Sequence, residues 1–261
     1  MKHIGVAILL ALFSSAGYAE VLQGLCMVSA SHNSKSNTAT ADVMLHRSDC
    51  GDETHECGSS ENSNIAWSRW TGVSAESLNQ QGAQLNGQMN GEAGELRCSG
   101  SVHDGVLAGR YQFTPNPAFV QKMTAMGFDE VTTRKQESFL MLDVTTAWVQ
   151  QMKDAGVTDL STNKLMGLRA LHVDLDYIHG MSGAGYPELR ANKLTEMKAV
   201  GVTPEKAREA RALGFQPTEQ QLIEMSIFKI DRPFVERMRA RGLQDLTLEK
   251  LVKVKTFKLE D

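Results

Sequence analysis

Two hydrophobic rhythms divide the chain. Between residues 20 and 115, apolar and polar residues alternate over short runs bounded by Gly, Ser, Asn and Asp, the period-two pattern of half-buried strands. Residues 21–28, 41–45, 65–70, 83–89, 96–102 and 106–113 read as such strands. Leu96, Cys98, Gly100 and Val102 share one face of the fifth run, and Leu107, Gly109, Tyr111 and Phe113 share one face of the sixth. The His103-Asp104-Gly105 segment between them has the composition of a hairpin loop. The Ser/Asn-rich stretches 29–40 and 51–64 read as polar loops.

From residue 116 onward the rhythm becomes helical and repeats. Gly127, Gly156, Gly185, Gly214 and Gly242 stand 29, 29, 29 and 28 residues apart. Eleven residues before each stand Asn116, Thr145, Asp174, Thr203 and Asp231, all residue types that cap helix N-termini by accepting an orphan backbone N–H. Val144, Val173, Val202 and Ile230 precede the last four caps. Val120, Val149, Ile178, Ala207 and Val235 follow the caps by four residues, the spacing of the hydrophobic staple. Pro117 and Pro204 occupy the first helical position, where a missing N–H is harmless. Met123, Met152, Met181, Ala210 and Met238 continue the apolar stripe, and the glycine then ends the helix.

A second helix follows in each unit. Thr132, Ser161, Thr218 and Thr247 are its caps, and Leu165/Leu168, Leu194/Met197, Leu222/Met225 and Leu251/Val254 are its apolar face. A 29-residue helix–turn–helix unit cannot bury its own apolar stripe, so the pattern predicts stacked units. The expected fold class is therefore α+β. A small disulfide-bearing antiparallel β-domain over 20–115 is followed by a short α-solenoid of about five helix–turn–helix repeats over 116–261. The third unit carries Gly180 and Gly183 inside its first helix, which predicts either close packing or a hinge.

Residues 1–19 read as a secretory signal peptide. Lys2 and His3 precede an apolar run over 4–13, and small residues lead to cleavage near Ala19. The run is too short to span a bilayer, which takes roughly 20 apolar residues. Leu25 before Cys26 does not match a lipidation box. A periplasmic or secreted protein without a stable membrane anchor is expected. In an oxidising compartment the four cysteines read as two disulfides, with Cys26–Cys98 and Cys50–Cys57 favoured among three connectivities. The rival reading of this region is a metal site built from His46, Cys50, His55 and Cys57, though the spacing fits no standard zinc finger.

Composition adds an asymmetry. The chain has 261 residues, a net charge of −4 and 6% aromatics. Residues 1–117 hold six Lys+Arg against eleven Asp+Glu, whereas 118–261 hold 21 against 20. No overall basic balance points to nucleic acid. Charge turns basic only near the end, with nine basic against four acidic residues over 229–258. Arg237, Arg239, Arg241, Lys250, Lys253, Lys255 and Lys258 form the candidate interaction patch, suited to an anionic surface if not simply a solvated end of the stack.

The stretch VTPEKAREARALGF at 202–215, followed by LIEM at 222–225, resembles helical repeats of bacterial envelope proteins. Trp67–Arg69, the CSGS segment at 98–101 and GVLAGRYQFTPNP at 105–117 resemble the strand-rich segment that precedes such repeats. The similarity is to uncharacterised bacterial exported proteins, and to repeats of this kind appended to regulators resembling the BlaR-type antibiotic-sensing metallopeptidases. The resemblance implies an envelope setting and a regulatory partner; it brings no catalytic residues, since HExxH is absent from this chain.

No nucleophile elbow, phosphate loop, dinucleotide fingerprint or calcium loop occurs. His46, His55, His103, His172 and His179 have no recurring Ser, Cys or carboxylate partner. Acid pairs such as Asp129-Glu130 and Asp174/Asp176 fall at helix ends, where they suit the macrodipole. The expectation is a non-enzymatic protein-interaction module, with no cofactor and a protein partner. The alternatives are an envelope metal-binding protein or hydrolase using the His46/Cys50/His55/Cys57 cluster, and a structural spacer.

Overall fold

A computed structural model describes residues 20–31, 40–47, 58–243 and 245–259. The signal-peptide reading over 1–19 and the partners Cys50, His55 and Cys57 lie outside the described residues. The fold is α+β. Seven strands, β1 (Leu22–Ala30), β2 (Thr40–Arg47), β3 (Ser59–Ala66), β4 (Trp70–Thr71), β5 (Gln84–Gly91), β6 (Gly94–His103) and β7 (Val106–Pro115), form one antiparallel sheet in the order β3-β2-β1-β7-β6-β5-β4. Alternation decides its two faces. Leu22, Cys26 and Val28 on β1 meet Leu96, Cys98 and Val102 of β6 and Leu107, Tyr111 and Phe113 of β7 in the core, while intervening residues face outward.

Two strand readings need correction. Ser59–Ala66 is a strand rather than a loop, and the apolar run expected over 65–70 is interrupted by a 3₁₀ turn at Trp67–Arg69 before β4. The reason is position. β3 lies at the sheet edge, pairs with β2 alone, and leaves most of its Ser, Asn and Glu side chains exposed, so it needs no apolar alternation. It also carries a bulge, with Asn64 at φ 62° and its N–H donated to the Asp42 carboxylate at 3.3 Å. The β6–β7 hairpin is one residue tighter than expected. His103 pairs with Val106, and Asp104 and Gly105 form a two-residue turn with φ of 49° and 79°.

The sheet curls sharply where β1, β7 and β6 run side by side. Cys26 and Cys98 lie on strands separated by β7, roughly 9–10 Å apart in a flat sheet. Their Cα atoms are 6.1 Å apart and joined by a disulfide, as the favoured pairing anticipated. Gly109 opposes Cys26 and pairs with Gly100; a Cβ on Gly109 would sit 2.0 Å from the Ser99 carbonyl oxygen. Only a residue without a side chain lets the strands approach at this bend.

Among the described residues all strands precede Asn116 and all α-helices follow it. The ten helices are α1 (Pro117–Ala125), α2 (Thr133–Met141), α3 (Thr146–Asp154), α4 (Thr162–Ala170), α5 (Leu175–Gly183), α6 (Ala191–Ala199), α7 (Pro204–Ala212), α8 (Glu219–Ile227), α9 (Arg232–Ala240) and α10 (Leu248–Thr256), each nine residues long. Nine begin at a side-chain cap: Asn116, Thr132, Thr145, Ser161, Asp174, Thr203, Thr218, Asp231 and Thr247 each accept a backbone N–H from the first turn. The tenth, at Arg190, is closed by backbone instead, with the Ala191 N–H donated to the Thr158 carbonyl at 3.0 Å.

Every helix ends in the same way. The residue two beyond the C-cap donates its N–H to the carbonyl five positions back, as Phe128 does to Met123 and Val144 to Phe139. This is the Schellman bond, and it requires the intervening residue to be left-handed. In odd-numbered helices that residue is one of the five glycines already noted, at φ of 81–96°. In even-numbered helices it is Asp143, His172, Gly201, Lys229 and Lys258. Val144, Val173, Val202 and Ile230, expected as staple residues, thus also close the preceding helix. Gly180 is explained by packing, because a Cβ there would stand 2.6 Å from the Pro204 ring of α7.

Helices touch their next-but-one neighbours, α1 with α3, α2 with α4, α4 with α6, α5 with α7, α6 with α8 and α8 with α10. One continuous apolar core runs from the sheet into the helices. Its joint is α2 on β6 and β7, reinforced by an edge-to-face pair of Phe119 and Phe139 with ring centres 5.8 Å apart. Two polar clamps flank it. Glu92, in the β5–β6 turn, accepts the Thr146 N–H at 2.7 Å and its hydroxyl at 2.9 Å at the start of α3. Arg69 donates to the Met141 carbonyl at 2.9 Å and to that of Leu140, with Asp143 3.7 Å away.

Two stability outcomes follow. Replacing Cys26 and Cys98 together by Ala is expected to lower unfolding stability by about 3–4 kcal/mol for a 72-residue separation, read by denaturant titration. His172→Gly is expected to raise stability by about 0.5–1 kcal/mol by relieving a left-handed His, whereas Gly214→Ala lowers it by about 1 kcal/mol. Equal signs for the two would refute the helix-ending assignment.

Candidate functional site

Aligned by their caps, four of the five units share a side-chain plan. The third residue after the first cap is Phe119, Trp148, Tyr177 or Phe234, the fourth is Val or Ile, and the seventh is Met. In three units a cation from the second helix lies over that aromatic ring: Arg169 over Trp148 at 5.3 Å, Lys198 over Tyr177 at 4.4 Å and Lys255 over Phe234 at 4.2 Å. Each such pair adds roughly 0.5–2 kcal/mol depending on desolvation. Rings and methionines fill the space between adjacent helices.

The fourth unit departs at every one of these positions. The aromatic becomes Lys206, the β-branched residue Ala207, the methionine Ala210 and the second-helix cation Ser226. Its inter-helix loop is also one residue shorter, and the buried Pro217 stands where the other units carry Val131, Leu160, Leu189 and Leu246. The missing volume shows as a cavity of about 230 Å³ between α7, α8 and the start of α9. Its buried walls are Val202, Ala210, Leu213, Leu222, Met225 and Ile230, and its rim carries Lys206, Glu209, Lys229, Asp231 and Arg232.

The rim charges are unequally engaged. Glu209 accepts from Arg232 Nε at 2.9 Å, and Asp231 caps α9 by accepting the Phe234 N–H at 3.0 Å. Both carboxylates thus have partners. Lys206 donates to the Gly201 carbonyl at 2.7 Å. Among the described residues neither Lys206 nor Lys229 pairs with a carboxylate, and both are exposed. Ser226, which also lines the cavity, donates to the Val200 carbonyl.

The neighbouring third unit braces the cavity wall. The Tyr177 hydroxyl donates to the Val202 carbonyl at 3.1 Å, and the Tyr186 hydroxyl donates to that of Pro217 at 2.6 Å. Burial pushes the Tyr177 phenol up to about 12 and raises that of Tyr186 as well.

The basic residues singled out from sequence are held in different ways. Arg237 and Lys255 converge on the Phe234 ring, at 5.8 and 4.2 Å. Arg239 donates to the Leu213 carbonyl, Lys250 to that of Asp245, and Lys253 to the Glu249 carboxylate. Arg241 is the C-cap of α9, and Lys258 occupies the left-handed position after α10. Of the proposed metal cluster only His46 is described, on β2 opposite Leu25. Among the described residues no group of three His, Cys, Asp or Glu is arranged to hold a metal, and no helix is long and apolar enough to cross a membrane.

No protein-family model, curated protein or solved structure matches the chain. The cavity was not anticipated, although Ala207 and Ala210 stand out once each unit is aligned by cap; the readable signal is a concerted loss of volume in one unit.

Ala210→Met restores the residue of the other four units and is expected to stabilise the protein by about 0.5–2 kcal/mol, as cavity-filling changes do. Because the Tyr177 pKa is raised on folding, its contribution is complete below pH 10 and is lost as pH rises through about 12. Denaturation curves between pH 9 and 12 should thus show an alkaline loss that is smaller in Tyr177→Phe.

Proposed function

We propose that the chain is an exported, non-enzymatic protein-interaction module, periplasmic or secreted after cleavage near Ala19, whose fourth helical unit engages a protein partner. In this reading the ten helices stack as a short α-solenoid of five helix–turn–helix units, with the sheet closing one end. The next-but-one helix contacts support the stacking. The resemblance of the repeats to those of bacterial envelope proteins supports an envelope setting and a regulatory partner.

One observation carries the site. Losses at 206, 207, 210 and 226 coincide in a single unit, and that unit holds an apolar cavity whose rim carries two lysines with no carboxylate partner among the described residues. Scattered drift would have spread small residues over several units. Apolar walls with a few polar groups at the mouth are the ordinary construction of a binding site.

A photo-crosslinking amino acid at position 229 in intact cells tests this, with position 150 on exposed α3 as comparator. A discrete adduct from 229 and none from 150 is expected. It should persist when Arg237, Arg239, Arg241, Lys250, Lys253, Lys255 and Lys258 are neutralised. No adduct at 229, or the same adducts at both positions, would overturn the reading; loss on neutralisation would move the contact to the final unit.

A further inference from the structure

We infer that the fourth-unit cavity receives the C-terminal end of a partner protein, with a large apolar last side chain inside and its free α-carboxylate on Lys206 and Lys229. The inference rests on the interaction-module reading and specifies what that site takes.

Volume limits the occupant first. An engineered cavity of roughly 150 Å³ accepts benzene, and sites for drug-sized ligands begin near about 300 Å³. At about 230 Å³ the cavity holds one Phe- or Leu-sized side chain with little to spare. Its walls are the aliphatic carbons of Val202, Leu213, Leu222 and Ile230 and the adaptable thioether of Met225. A polar side chain would forfeit its hydrogen bonds to water there.

Charge limits it next. Glu209 and Asp231 are already engaged, by Arg232 and by the α9 backbone. Lys206, Lys229 and Arg232 against Glu209 and Asp231 leave the mouth one net positive charge, and the two ammonium groups have no carboxylate partner among the described residues, so the complement is an anion standing beside the apolar group. Lys206 uses one donor on Gly201, and an ammonium has three. A mid-chain segment of a protein offers an apolar side chain but no adjacent carboxylate on its backbone; a C-terminal residue offers both within a few bonds. Capture of a terminal carboxylate is a known mode of peptide recognition.

Comparison with the other units supports the assignment. Where an aromatic ring and a cation fill this position, as Tyr177 and Lys198 do in the third unit, the protein supplies both halves itself. In the fourth unit both the ring and the second-helix cation are missing, with Lys206 and Ser226 in their places, and an incoming apolar C-terminal residue would supply the absent apolar half.

The test is fluorescence anisotropy of a labelled peptide, Gly-Ser-Gly-Ser-Gly-Phe with a free C-terminus, titrated with the full mature chain. Saturable binding is expected. Amidating the terminus or replacing the final Phe by Ser should each weaken it at least about tenfold, equal to about 1.4 kcal/mol. The double change Lys206→Gln and Lys229→Gln should weaken the free acid by a similar factor and leave the amide unaffected. Ala210→Met should abolish binding while preserving or raising thermal stability, which separates a filled cavity from a misfolded chain. Equal binding of acid and amide, indifference to Ala210→Met, or no saturation below about 1 mM would overturn the inference. Displacement by N-acetylphenylalanine at the peptide's own affinity would also overturn it, assigning the site to small carboxylic acids. Failure of the whole peptide set alongside a crosslink at 229 would remove the C-terminal mode and leave the interaction-module reading standing.

Discussion

A nine-residue helix is nearly all ends. Four N–H groups and four carbonyls lack intrahelical partners, and isolated helices shorter than roughly 12 residues are marginal in water. Ten such helices persist here because each end is closed by something other than the helix. Side-chain caps close the N-termini, and Schellman bonds close the C-termini. Cations from the following unit then reach back to the last carbonyls, as Lys153 does to Met126, Arg169 to Leu142, Arg211 to Gly185 and Arg239 to Leu213. Positive charge at the negative end of a helix is favourable in its own right. Apolar burial supplies most of the stabilisation, but end closure determines where helices can start and stop.

The joint between sheet and helices uses the same devices. Glu92 acts on α3 as a cap drawn from a β-turn, and Arg69 acts on α2 as the back-reaching cation drawn from a 3₁₀ turn. Burial lowers the pKa of Arg69, with Asp143 opposing that effect and Arg169 adding to it. A guanidinium stays charged across any accessible pH, so this clamp does not titrate. The sheet therefore presents to the helices what another helical unit would present. The curl that lets it do so depends on strands β6 and β7 closing on one another at Gly100 and Gly109, beside the disulfide.

How much of this could be read from sequence depended on how narrowly each position restricts its residue type. The first helix of each unit was legible in full, because a side-chain cap and a left-handed terminus select Asn, Thr, Asp and Gly strongly. The second helix was legible at its start but not at its end, where Asp143, His172, Lys229 and Lys258 adopt the glycine conformation without being glycine. β3 was misread because an edge strand with both faces wet lacks alternation. The Cys26–Cys98 pairing was one of three connectivities the sequence leaves open, favoured because it joins distant strands and Cys98 falls on an apolar face. The cavity at Ala210 escaped because a lack of volume has no motif; it emerges only when equivalent positions are compared.

The cation–carbonyl bonds between units share a direction. In each of the four cation contacts the donor lies later in the chain than the carbonyl it satisfies, by 26 or 27 residues. During synthesis the carbonyl end is made first and can be hydrated until the next unit emerges, so none of these four cations waits for its acceptor. Each arriving unit completes its predecessor. These four carbonyl contacts can therefore form in chain order, one unit at a time.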